Sequence, residues 1–221
     1  QTDELLVYPL ADLFDSPVVI TLHDPMPRKE SLDFWFLESY KNRNFISISM
    51  AQRRGEPKIN FVGNVYHGLD QNKYIPSFEN GEYLAYFGRL LVQKGADIAI
   101  NAAKQSGENI KIGSDKIHFN TDFVKEKVLP FINGNSVVHV GFLITSEEKS
   151  NFLNKAKALM VPILWDEPFG LVMIEAMACG TPVIAYNRGS VSEIVRDGFT
   201  GYIIDQNNED RPGKGTWIIK K

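Results

Sequence analysis

The sequence of 221 residues holds one cysteine, Cys179, so no internal disulfide can form. Lying between Ala178 and Gly180, it reads as a small buried filler and fits a reducing compartment. No apolar run approaches the ~18 residues that a membrane-spanning helix needs, and no signal-peptide pattern opens the chain. A basic surplus is also missing. The formal net charge of −3 argues against a nucleic-acid footprint. No two Asp residues stand two apart, and no Cys/His cluster has zinc spacing, so neither pattern of a bound metal is present. No internal repeat occurs beyond a βα alternation. What is there is a chain with 43% hydrophobic residues and 14 Phe, enough for one large domain or one domain plus part of another. It does not begin with Met and its first residues are already mid-pattern, so a piece of a longer protein is expected.

Taken in order, Leu5–Tyr8 and Val18–Leu22 are short runs rich in β-branched residues and read as buried parallel strands. A short helix is expected over Pro9–Phe14. His23, after the second of these strands, stands at the carboxyl edge where open α/β sheets place ligands. Ser31–Tyr40 predicts a helix with Leu32, Trp35, Phe36 and Leu37 on one face. Phe45–Ser49 and Ile59–Val65 predict strands, and Gln52-Arg53-Arg54 reads as surface, with a small basic patch as the alternative. The best linker is 76–82. Beyond it come strands at Tyr83–Phe87, Ile110–Gly113, Val137–Gly141, Ala158–Pro162, Val183–Tyr186 and Gly201–Asp205, with helices between them. Thr145 and Glu148 fit a capping box. This alternation predicts a doubly wound parallel sheet with right-handed crossovers.

The richest stretch is 166–182. Leu171, Ile174, Met177 and Ala178 stand at helical spacing, and Gly180 and Pro182 are the stop signals expected past a helix end. Gly170 keeps side chains away from the first turn, whose N–H groups lack intrahelical partners and make a ready anion site. Glu167 precedes that end and Glu175 follows it by a turn. Carboxylates so placed suit sugar hydroxyls better than phosphate, because each accepts two charge-assisted hydrogen bonds. Arg89 and Lys94 flank another strand-to-helix turn and can supply two cations to a pyrophosphate.

The string from Glu167 to Ala185, continued by 188–195 and 197–202, resembles the Glu-x₇-Glu signature of the family-four retaining glycosyltransferases, which have the GT-B architecture. Gly88-Arg89 and Lys94-Gly95 resemble that family's Gly-Arg-x₄-Lys-Gly, and Thr21-Leu22-His23 its Thr-x-His. The likeness implies a Rossmann-like donor domain over 83–205 and the back part of a second, acceptor-side Rossmann-like domain over 1–75. Between them lies the linker 76–82, and a polar tail follows over 206–221. It further implies that Glu167 holds donor-sugar hydroxyls, Glu175 the ribose, and Arg89, Lys94 and the N–H groups of Gly170, Leu171 and Val172 the pyrophosphate. His23 would lie near the reacting sugar and acceptor. His67 stands where the family usually has Asn, and no catalytic role is assigned to it.

The partners expected are a nucleotide-diphosphate sugar as donor substrate and an unidentified acceptor: a sugar, a lipid-linked species or a small molecule. No further cofactor or metal is expected, nor a nucleic acid or transmembrane segment. The location expected is cytoplasmic, with peripheral membrane attachment of the full-length protein left open. Alternatives are a non-catalytic nucleotide-sugar-binding module, since the family's opening glycine-rich loop is missing, and an epimerase of related architecture, against which the Glu-x₇-Glu string argues.

Overall fold

Short apolar runs become strands where both of their faces can be buried. Nine strands form among residues 8–205, the part of the chain that the computed structural model describes, and those at the centre of the larger sheet are the most fully buried. The described residues divide into two compact units. One holds those up to Gly68 together with Asp166–Phe169; the other holds Leu69–Trp165 and those from Gly170 on. Residues 76–82 lie inside the second unit, where Ser77 N donates to Cys179 O and Glu82 N to Lys155 O.

In the first unit, β1 (Val19–Thr21), β2 (Asn44–Ser47) and β3 (Phe61–Asn64) form a parallel sheet in chain order. Helix α1 (Leu32–Ser39) is capped by Ser31, whose Oγ accepts from Phe34 N at 3.1 Å. The expected apolar face is only partly used. Leu37 is buried, while Leu32 and Trp35 are more than half exposed. The Leu5–Val7 part of the first expected strand lies outside the described residues. Tyr8 is helical instead, and its ring meets Phe45 edge-on at 5.6 Å in the core.

Gln52, expected at the surface, is buried. Its Nε2 donates to Leu22 O (3.1 Å) and Asp24 O (2.7 Å), and its Oε1 accepts from Ile48 N (2.9 Å). One amide thus ties the ends of β1 and β2 and clamps the backbone on both sides of His23. Arg53 is also used, donating to Ser47 Oγ at 2.7 Å. Replacing Gln52 by Leu strands three backbone groups. Since each such loss costs about 1–3 kcal/mol, Gln52→Leu should destabilise the first unit by about 3 kcal/mol in a denaturant titration.

The second unit is a six-stranded sheet in the order β6-β5-β4-β7-β8-β9, parallel throughout. Its strands are β4 (Tyr83–Gly88), β5 (Ile110–Ser114), β6 (Val137–Phe142), β7 (Ala156–Val161), β8 (Val183–Tyr186) and β9 (Gly201–Ile204). Alternate residues feed opposite cores. Tyr83 and Ala85 enter one with α4 (Ser146–Leu153) and α5 (Leu171–Ala178), while Leu84 and Tyr86 enter the other with α2 (Ala96–Ser106). Both faces are covered, as a parallel sheet requires. Within α2, Ala99, Ala102 and Ala103 are buried and bring the helix close to the strands.

Two helices depart from expectation. The sequence of 119–132 suggests a helix weakened near its end by Pro130; the helix is shorter still, confined to α3 (Asp122–Lys127), and a 3₁₀ turn follows at Leu129–Phe131, because Pro130 cannot continue the hydrogen-bond ladder. In α5 the buried residues are Met173, Glu175 and Ala176, whereas Leu171 is 45% exposed. The helix is apolar nearly all round, so spacing alone could not select the inward face. The Thr145–Glu148 capping box forms in full. A last helix, α6 (Val191–Ile194), precedes β9.

Candidate nucleotide-sugar site

The order of the second sheet, read in unit numbering, is 3-2-1-4-5-6. The strand order reverses between the parallel neighbours β4 and β7, and the carboxyl ends of those strands frame the crevice where such sheets bind ligands. Both expected phosphate-binding elements lie at that edge. Arg89 follows β4 directly, and Lys94 ends the short 3₁₀ turn Val92–Lys94. Beyond β7, the chain from Pro162 to Trp165 packs on this turn: Leu164 N donates to Gln93 O at 2.8 Å.

Gly95 makes the fit possible. Its φ is +72°, and a Cβ there would run into Pro162 O. The Lys94 ammonium sits over the Trp165 ring, 4.4 Å from its centroid, a cation–π contact that sets where the charge is held. Arg89 is exposed, and its carbonyl accepts from Tyr86 Oη at 3.2 Å.

Gly170 caps α5 in the left-handed region (φ 85°, ψ 66°) with no side-chain cap, and Met173 N returns to its carbonyl at 3.0 Å. With no capping side chain, the N–H groups of Leu171 and Val172 have no intrahelical acceptor. The helix end carries a partial positive charge.

Glu175 is buried at 5% exposure. Its Oε1 accepts from Tyr74 Oη at 2.7 Å and from Lys149 Nζ at 3.1 Å. Lys149 in turn stands 5.2 Å from the Phe87 ring centroid. Neither Tyr74 nor Lys149 was legible as a site residue, because nothing in local spacing links them to a glutamate far along the chain. Desolvation, then the Glu175 hydrogen bond and charge, push the Tyr74 phenol up to about 12.

Burial and the Glu82 charge push Tyr83 to about 12 as well, and Tyr186 rises by burial and then by the charge of Asp97. The folded state therefore favours neutral phenols. That stabilisation is complete below the ordinary phenol value of about 10 and is lost as pH rises through about 12. Thermal midpoints should fall above pH 10, and tyrosinate absorbance near 295 nm should appear together with unfolding rather than before it.

His23 and Glu167 belong to the first unit. The exposed His23 ring stacks on His67 with centroids 5.2 Å apart and planes 8° from parallel. Burial, then the charge of His23, lowers the His67 pKa. Phe169, two residues beyond Glu167, meets His67 edge-on at 5.0 Å and Tyr66 at 6.1 Å. The signature loop is thus anchored by its phenylalanine to the unit that carries His23, and the signature helix lies in the other unit. Arg89, Lys94, Gly170, Leu171, Val172 and Glu175 all lie in the second unit.

Residues 70–214 match the family model for glycosyl transferases group 1. The chain belongs to that family. It is 32% identical over 204 residues to an uncharacterized glycosyltransferase of Methanocaldococcus jannaschii, a match covering 87% of this chain and 55% of the relative. It is 25% identical over 240 residues to the alpha-maltose-1-phosphate synthase of Mycobacterium tuberculosis, covering 92% and 62%. This group 1 chain thus spans less than two thirds of the length of those relatives.

Among solved structures it is similar to Anabaena HepE in complex with UDP-glucose (TM-score 0.73, 23% identity, 91% of this chain and 62% of that one). It is also similar to sucrose-phosphate synthase from Thermosynechococcus elongatus (TM-score 0.78, 22% identity, 93% and 59%). These likenesses show the fold, an α/β architecture of GT-B type with Rossmann-like parallel sheets. No helix among the described residues is long and apolar enough to cross a membrane.

Proposed function

We propose that this group 1 chain is the donor-binding part of a retaining, metal-independent glycosyltransferase that moves a sugar from a nucleotide-diphosphate sugar to a hydroxyl acceptor. The observation that carries the reading is the β4–β7 switch point. Its carboxyl edge holds Arg89, Lys94 on Trp165, and the uncapped start of α5, with a buried carboxylate one turn along that helix. Support also comes from the Anabaena neighbour, which was solved in complex with UDP-glucose.

Arg89 forks onto one phosphate, Lys94 adds a point charge, and the N–H groups of Leu171 and Val172 donate to the other. As the bond between the sugar C1 and the phosphate oxygen breaks, negative charge grows on the diphosphate. These donors then stabilise the transition state more than the ground state and do the work a divalent cation does elsewhere. Glu167 anchors donor-sugar hydroxyls, Glu175 holds the ribose, and His23 lies toward the reacting sugar and acceptor. The acceptor oxygen attacks C1 from the leaving-group face of a short-lived oxocarbenium ion, and its proton passes to the departing phosphate oxygen. Configuration is retained with no sugar ester on Glu167.

Calorimetric titration with UDP, GDP and ADP, their monophosphates and their glucose conjugates tests the reading. Binding that requires the diphosphate supports it, and wild-type protein that binds none of these ligands contradicts it. A turnover assay on the same samples separates an enzyme from a binding module.

A further inference from the structure

Glu175 is held in an uneven way. Both of its donors, Tyr74 Oη and Lys149 Nζ, reach the same oxygen, Oε1, at 2.7 and 3.1 Å. Among the described residues none donates to Oε2. That oxygen also keeps a path to solvent, since it is not one of the fully enclosed polar atoms that lack partners. A carboxylate turns easily about its last torsion. Two donors converging on one oxygen remove that freedom and leave the other as an oriented acceptor with room for two hydrogen bonds.

The donors are themselves fixed. The backbone next to Tyr74 is tied to α4 through Ile75 N and Ser150 Oγ (2.9 Å), and the Lys149 ammonium lies against the Phe87 ring. A carboxylate kept only as an internal ion partner would have no use for one masked and one open oxygen. A carboxylate meant for adjacent hydroxyls would.

We propose that Lys149 and Tyr74 are positioning residues that lock Glu175 so that its Oε2 accepts from the ribose hydroxyls of the nucleotide, making the site selective for ribonucleotides over 2′-deoxyribonucleotides. The inference rests on the donor-site reading above. Its test compares UDP, GDP and ADP with their 2′-deoxy counterparts by calorimetry on wild type, Lys149→Met, Tyr74→Phe and Glu175→Gln.

Wild type should bind its preferred ribonucleoside diphosphate about tenfold or more tightly than the deoxy form, as the loss of a hydrogen bond to a charged group predicts. Lys149→Met should bring that ratio to within about twofold, and Tyr74→Phe should lower it part-way. The diphosphate-over-monophosphate ratio, set by Arg89, Lys94 and α5, should not move, and Lys149→Arg should restore much of the ribose selectivity. A merely structural role would weaken all ligands alike. An unchanged ribo-to-deoxy ratio in folded Lys149→Met overturns the inference while leaving the phosphate site standing. Should that variant fail to melt cooperatively, Tyr74→Phe, which removes one oxygen from a buried ring, decides in the same way. Wild type that binds no diphosphate overturns the donor site and this inference together.

Discussion

Lys94→Ala should lower diphosphate affinity about 100-fold and abolish the diphosphate-induced thermal shift, with little change in the unliganded melting temperature. The size follows from chemistry at the β4–β7 edge. A charge-assisted hydrogen bond contributes about 1.5–3 kcal/mol, and 1.4 kcal/mol is tenfold in binding. Lys94 offers an ammonium already placed over Trp165, so little side-chain entropy remains to be lost on binding. Wild type at a hundred times its dissociation constant gains about 2.7 kcal/mol, and a hundredfold loss of affinity removes most of that. Arg89, exposed before binding, has more order to lose, and Arg89→Ala should cost nearer tenfold. Lys104→Ala on α2 is the control: its ammonium lies over Phe131 of the 3₁₀ turn, and its loss should leave binding untouched. Nucleotide titrations followed by differential scanning fluorimetry check all three.

Gly95→Ala should destabilise the second unit strongly, by about 3 kcal/mol or more. A left-handed backbone costs a non-glycine residue roughly 1–2 kcal/mol, and forcing an extra carbon into a packed site costs about 1–3 kcal/mol besides. Both apply here, because φ is +72° and the added Cβ meets the Pro162 carbonyl. Gly107 offers the comparison. Its φ is +71° with nothing within 4 Å of the added carbon, so Gly107→Ala should show the backbone strain alone, about 1 kcal/mol. The difference between the two variants in urea titrations reports the close approach at Pro162. Equal losses would mean that the approach relaxes at no cost. Because Lys94 precedes Gly95, the same methyl should also weaken diphosphate binding, linking the stability of the turn to the reach of the cation.

The alternation of strands and helices from Tyr83 on was legible because runs buried on both faces stay apolar throughout, while Gly and Pro mark their ends. The inward face of α5 was not, since almost every position in it is apolar and only the tertiary environment selects Met173 and Ala176. The placement of Arg89, Lys94 and Gly170 was readable from local spacing, because each sits in a strand-to-helix turn. The surroundings of Glu175 were only half readable. Glu175 carried a signal, but Lys149 and Tyr74 reach it from distant parts of the chain. Gln52 was misread for a related reason: a polar residue among arginines reads as surface until the carbonyls of Leu22 and Asp24 are seen to need a donor. The grouping of Asp166–Phe169 with the first unit likewise depends on aromatic partners, His67 and Tyr66, that lie far upstream.

The most direct measurement of the central claim is a crystal structure of the chain with its preferred nucleoside diphosphate bound. Phosphate oxygens are expected about 3 Å from the N–H groups of Leu171 and Val172, with the Lys94 ammonium and Arg89 guanidinium on the same diphosphate and the ribose hydroxyls on Glu175 Oε2. A diphosphate lodged away from the start of α5 and out of reach of Lys94 would contradict that claim.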